Sequence, residues 1–274
     1  MMRRLLFFLM FSMVTFFACA QELWLEASQF VYAPADSLKI NFKTGVDFIG
    51  NAWRESEATD AANKRGLKTI ALHQQNKFLE MRRYLRKDEG GLVIPPQTQG
   101  TCLIVLETQS SFREFEPDKF NSYLREAALD DAYYQRQKTN ALDKNGSELY
   151  THFAKLLTQV GKQTDDTFRK EVSLTVEIIP MQNPYLLKVG DRVQFKIMYE
   201  GKPLFGARVK VWNRHNNRTS VQNIFTEQNG MIETHISNPG AWMVSVIKMI
   251  PSKDAQADWQ SYQGSLTFGI NIEL

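Results

Sequence analysis

Cysteine is almost missing: Cys19 and Cys102 are the two in 274 residues. That scarcity excludes a disulfide-stapled scaffold and a thiolate zinc site, which need several cysteines at close spacing. Histidine is nearly as rare, with His73, His152, His215 and His235 as the four. No two are spaced as ligands on one helix face, and none neighbours a cysteine, so the sequence carries no metal or nucleophile–base motif. A glycine-rich phosphate loop and a Gly-x-Ser-x-Gly elbow are lacking as well. Nor is there an excess of one charge: 33 basic residues face 30 acidic ones, and without Arg3 and Arg4 the basic count is 31. A nucleic-acid binder gathers a basic surplus on one face, so nucleic acid is excluded as a partner. The densest basic cluster, Arg82, Arg83, Arg86 and Lys87, runs straight into Asp88 and Glu89 and reads as a solvated face.

What is present begins with an address. Arg3 and Arg4 precede an apolar run from Leu5 to Phe17 and then Ala18-Cys19-Ala20, the pattern of a secretory signal peptide over residues 1–20. The run is too short to span a bilayer, and no later one is longer, so no transmembrane segment is expected in the mature chain. Cleavage after Ala20 predicts a periplasmic or secreted protein in which Cys102 stands alone. The alternative is a lipid anchor on Cys19, because Ala18-Cys19 is similar to the end of a lipobox.

The rest of the chain repeats a design. Tyr32 to Thr44 places Leu38, Ile40 and Phe42 at period two after a Pro-x-Asp turn, and Leu187 to Tyr199 does the same with Val193, Phe195 and Ile197. A second pair follows: Cys102, Ile104 and Leu106 match Trp242, Val244 and Val246, each set after a glycine turn. The pairing predicts a mainly β protein of two immunoglobulin-like β-sandwich domains with a two-helix insertion between them. The expected boundaries are 21–115 for the first sandwich, 116–170 for the helical segment and 171–274 for the second sandwich. In the first, strands are expected at Leu67 to Leu72 and Phe78 to Tyr84, with a polar stretch from Glu55 to Lys64. In the second, a strand ending at Trp212, a polar loop at Asn213 to Arg218, a hairpin at Asn229-Gly230 and a last strand from Leu266 to Ile272 are expected. Between them, Pro117 opens an amphipathic helix running through to Tyr134, and a second helix is predicted with Ser147 as cap, Tyr150, Phe153, Ala154 and Leu157 on one face, and Gly161 as stop.

Residues for chemistry are few. His215 and His235 are the one histidine pair within a single expected domain, and adjacent strands could bring them together as metal ligands. His152 reads as a partly buried helical residue. Asp130-Asp131 and Asp165-Asp166 read as solvated surface, and Trp53, Trp212 and Trp259 as either core or a stacking platform for sugars.

Four stretches, ELWLEASQF after Ala20, GTCLIVLETQSSFREFEPDKFNSYLREAAL from Gly100, YTHFAKLLTQVG from Tyr150 and DWQSYQGSLTF from Asp258, are similar to an exported family of unknown function. That family is often labelled the periplasmic component of an ABC-type cobalt or nickel transport system, or NikM-like. The resemblance implies a β-rich exported protein linked to Co²⁺ or Ni²⁺ uptake, with histidines at the mature N-terminus and just before a methionine late in the chain. Here those positions hold Gln21 and Lys248. The resulting expectation is a non-enzymatic periplasmic accessory or binding protein associated with divalent transition-metal uptake, with membrane transporter subunits or other envelope proteins as partners. The alternatives are a cell-envelope protein–protein interaction module with immunoglobulin-like domains, or a carbohydrate-binding module.

Overall fold

The structure, a computed structural model, describes residues 21–55, 66–86 and 89–270. The expected leader with Cys19, the polar stretch beyond Glu55, Lys87 and Asp88 of the basic–acidic cluster, and Ile272 lie outside these residues.

The first half runs through β1 (Glu22–Ala27), β2 (Val31–Tyr32), β3 (Leu38–Val46), β4 (Ile49–Ala52), β5 (Leu67–Gln74), β6 (Lys77–Glu80), β7 (Leu85–Arg86), β8 (Gly91–Ile94), β9 (Gly100–Thr108) and β10 (Ser111–Phe115). Two helices follow, α1 (Pro117–Glu126) and α2 (Asp130–Lys138). The remaining strands are β11 (Gly146–Val160), β12 (Val176–Pro180), β13 (Arg192–Tyr199), β14 (Lys202–Pro203), β15 (Arg208–His215), β16 (Arg218–Phe225), β17 (Met231–His235), β18 (Gly240–Pro251) and β19 (Trp259–Ile270). The chain is mainly β, as its alternation predicts.

Among the described residues the strands form three sheets in three layers. The middle one is ten-stranded, in the order β16-β15-β18-β19-β11-β9-β5-β6 with β2 and β10 also on β11. One face is covered by the five-stranded sheet β1-β3-β8-β7, in which β4 pairs with β3. The other face is covered by β12-β13-β14, in which β17 pairs with β13. Alternate residues of each middle strand therefore enter opposite cores. Cys102, Ile104 and Leu106 of β9 join Leu38, Ile40 and Phe42 of β3 in one core, whereas Trp242, Val244 and Val246 of β18 join Val193, Phe195 and Ile197 of β13 in the other.

Both echoed strand pairs thus occupy equivalent places. Along the main run of the middle sheet each half supplies four strands, β6-β5-β9-β11 and β16-β15-β18-β19, the first half adding β2 and β10 on β11, and the parallel pairing of β11 with β19 joins them, Glu148 opposite Trp259 through Leu156 opposite Thr267. With equivalent strands side by side and parallel, and with the two cores on opposite faces, the halves are related by a half-turn about a line between β11 and β19.

Four expectations need correction. Residues 146–160 are a strand, not the second helix: Tyr150, Phe153, Ala154 and Leu157 show helical spacing because this strand is buried on both faces and loses its alternation. The 116–170 segment consequently holds the last strand of the first half, and the two helices are an insertion ahead of it. Those helices occupy the single span expected from Pro117 to Tyr134 and beyond, broken where Ala128 turns left-handed at φ 51°. Asn229-Gly230 does form a turn, with Gly230 N donating to Glu227 O at 2.9 Å, but it connects two sheets rather than a hairpin, since β16 pairs with β15 and β17 with β13. A two-residue hairpin turn forms instead at Asn216-Asn217, both at positive φ (49° and 59°), within the expected polar loop. Finally, the strand expected over Phe78 to Tyr84 ends at Glu80 and gives way to a 3₁₀ turn at Arg82–Tyr84.

Cys102 faces the first core, fully buried, and burial pushes its thiol up to about 12. Only the thiolate reacts. The Cys102 peptide is therefore expected to resist alkylation by iodoacetamide at mildly alkaline pH and to react fully in denaturant, read by mass spectrometry. Labelling of the folded protein at the denatured rate would refute this burial.

Candidate functional site

The face of the middle sheet that carries the five-stranded sheet is shared with the helices. Phe120, Tyr123 and Leu124 of α1 pack on Met249 and Trp259 at one end of that face, while β1 lies across the rest, where Ser265 Oγ donates to Leu23 O at 2.7 Å and Thr267 Oγ1 to Leu25 O at 2.5 Å. A seam runs between these two covers. Its floor is polar: Lys210 of β15, Ser245 of β18, Ser261 and Gln263 of β19, and His152 of β11, with Lys210 opposite Ser245 and His152 opposite Gln263 in register.

Glu22, at the start of β1, drops into the seam. Its Oε1 accepts from Lys210 Nζ at 3.2 Å and from Ser245 Oγ at 3.1 Å. Burial raises the carboxyl above its usual range, a shift that Lys210 and Ser245 partly oppose. Glu22 Oε2, His152 Nδ1, Ser261 Oγ and both amide atoms of Gln263 are buried with no hydrogen-bond partner in the protein. Beside Glu22 is a cavity of about 20 Å³, the size of one water.

The seam widens at the surface into a cleft of about 170 Å³ between the α1–α2 turn and the second half of the chain. Ala128 to Ala132 form one wall, Leu204 to Ala207 the other, and Arg208, Ile247, Lys248 and Met249 the base. Arg208 donates to Glu126 O and ties the base to the end of α1. Two aromatics stand on the rim, Phe205 at 65% exposure and Phe225 at 58%. A more open groove of about 610 Å³ lies elsewhere, between Thr164 to Phe168 and Gln182 to Leu187. Its Asp165 is structural rather than simply solvated, accepting from Thr167 N at 2.8 Å and Thr101 N at 3.0 Å.

The residues singled out in the sequence fall elsewhere or change role. His215 ends β15 in the middle sheet, its Nε2 2.9 Å from Asn216 Nδ2, and His235 ends β17 in an outer sheet, opposite Arg192. Their strands are not neighbours, so the expected meeting on adjacent strands does not occur. His152 lies in a strand, and burial, reinforced by the nearby Arg113 cation, lowers its imidazole to about 3. Asp130 and Asp131 open α2 and line the cleft wall. Trp53, Trp212 and Trp259 are core residues, as are Trp24 and Trp242, so no tryptophan offers a face on which a sugar could stack.

The two positions where the resemblance calls for histidine both border this site: Lys248 lines the cleft, and Gln21 precedes Glu22. An ammonium and an amide do not fit Co²⁺ or Ni²⁺, which take imidazole nitrogen, and Glu22 is already engaged by Lys210. Among the described residues no group of three or more His, Cys, Asp or Glu converges as a metal site. Nor is any helix among them long and apolar enough to cross a membrane.

Fold and site together define a mainly β protein of face-packed sheets with an aromatic-rimmed surface cleft over a buried polar seam. The chain belongs to the family of DUF4198, a domain of unknown function, whose model matches residues 18–249. No curated protein matches the sequence. Among solved structures the chain is similar to a tetra-tandem repeat in the extending region of a large adhesion protein, at 8% identity and a TM-score of 0.24, covering 92% of this chain and 50% of that one. It thus spans half the length of that structure. It is also similar to a marsupial T cell receptor (7% identity, TM-score 0.24, 90% of this chain and 73% of that one) and to murine CEACAM1b (11% identity, TM-score 0.22, 92% and 100%).

Proposed function

We propose that this chain is a non-enzymatic recognition module of the cell envelope, two immunoglobulin-like sandwiches fused edge to edge, that binds a protein partner at the cleft beside the α1–α2 turn. The immunoglobulin-like reading is supported by strand order: the first half runs β1-β3-β8-β7 in one layer and β6-β5-β9-β11 in the other, the arrangement of the four-plus-three sandwich with an added edge strand. Export is supported by the basic, apolar and small-residue pattern of the first twenty residues.

One observation carries the binding reading. Phe205 and Phe225 stand exposed over a cleft of about 170 Å³, smaller than the ~300–1,000 Å³ of small-molecule pockets. Such a hollow accepts a side chain of a protein rather than a whole cofactor, and exposed aromatics are the residues that anchor protein interfaces.

The test is affinity capture from the envelope fraction with the wild-type chain and with Phe205→Asp in parallel. Loss of a rim anchor costs about 2 kcal/mol or more, so a specific partner is expected to fall more than tenfold in the variant. Retention of the same proteins by both would end the proposal.

A further inference from the structure

Strand β16 is an edge. Among the described residues it pairs only with β15. His215 and Arg218 flank the two-residue turn, and Thr226 N donates to Ala207 O while Gly206 N donates to Thr226 O, so the even-numbered residues direct their backbone groups at β15. Thr219, Val221, Asn223 and Phe225 direct theirs outward. Their side chains share one face; Gln222 points to the other, where its Oε1 accepts from Thr234 Oγ1 at 2.5 Å.

Edges left open in a folded protein are normally blunted by charge, proline or a bulge. The opposite edge of the same sheet follows that rule, because β6 is four residues long and carries Lys77 and Glu80. From Thr219 to Phe225, β16 has no charge, no proline and no break in register. Val221 is 41% exposed and Phe225 58%.

We propose that β16 is the interface of a symmetric dimer, in which a second copy of this chain pairs antiparallel along the edge about a two-fold axis at Asn223. The pattern is self-complementary in the way an isologous contact requires. With Asn223 opposite its own copy, Val221 falls opposite Phe225 of the second copy and Phe225 opposite its Val221. All three positions direct backbone groups outward, so every pair exchanges hydrogen bonds. Aromatic against β-branched is a favoured cross-strand pair, and the Asn223 side chain both donates and accepts, so it meets its own copy without conflict. No like charges come together. The ten-stranded sheet then continues across the axis. Phe225 belongs both to this edge and to the rim of the cleft, so the two surfaces adjoin; the dimer is argued from the edge strand alone, and its mass is read with no cleft partner present.

Sedimentation equilibrium of the purified full chain tests it. The wild type is expected at twice the chain mass, and Asn223→Lys and Asn223→Glu, which place like charges across the axis, each at the chain mass. An equal mixture of the two variants is expected to return to the dimer mass. Asn223 is exposed, so both variants are expected to keep the wild-type unfolding midpoint, which separates loss of pairing from loss of fold. A wild type that sediments as a monomer, a variant that remains dimeric, or a mixture that stays monomeric overturns the proposal.

Discussion

Lys155→Met is expected to destabilise the protein by about 3–5 kcal/mol, the cost of leaving a buried charge without its partner. Lys155 lies on β11 and faces the second core, 1% exposed, with its Nζ 2.9 Å from Glu177 Oε1 on β12, which is 4% exposed. The same oxygen accepts from Val172 N at 2.8 Å. Removing the ammonium strands this carboxylate in a dry layer between sheets. Against a typical total of about 5–15 kcal/mol the loss is large. The double variant Lys155→Met/Glu177→Met is expected to recover most of it, since apolar side chains can replace a buried pair at little net cost. Urea unfolding of wild type, single and double variants measures both effects. A single variant within about 1 kcal/mol of wild type would mean that water reaches the pair.

Acid is expected to act through His152. Its folded value of about 3 lies below the ordinary 6.5, so between those values the unfolded chain binds the proton that the folded chain refuses. Stability is therefore complete above pH 6.5 and falls as pH drops toward 3, by about 1.4 kcal/mol per unit. Two units of acidification cost about 2–3 kcal/mol at this one residue. His73, lowered by burial and by Lys170 and Lys155, works in the same direction. Denaturant melts near pH 6.5 and about two units below, on wild type and His152→Leu, isolate the contribution. His152 Nδ1 has no partner to lose. If the variant shows the same acid sensitivity as wild type, the imidazole is not held neutral by its surroundings.

The likeness of the two halves was legible because it left its mark where alternation is strongest, whereas the half-turn that relates them was not. Leu38, Ile40 and Phe42, and Val193, Phe195 and Ile197, sit on outer strands with one dry face and one wet face, the condition under which period two survives in a sequence. On β11 both faces are dry, and Thr151, His152, Phe153 and Ala154 are buried in succession, so nothing in the spacing separates strand from helix. The polar seam was hidden for the opposite reason. Ser261, Gln263, Ser265 and Thr267 alternate with Tyr262, Gly264, Leu266 and Phe268 as a wetted strand face would, yet β1 and α1 cover them. Glu22 gave no signal, since its importance comes from Lys210 and Ser245, brought to it across most of the chain. Turn chemistry at Asn229-Gly230 was read correctly as a turn, but a local motif does not say which sheets its flanking strands join.

The parallel joint between β11 and β19 leaves the molecule without a hinge at its middle. Consecutive backbone pairs from Glu148 to Leu156 cross the boundary between the halves and make them one continuous sheet. A protein built in this way behaves as a stiff strut: whatever holds one end fixes the distance and the orientation at which the other is presented.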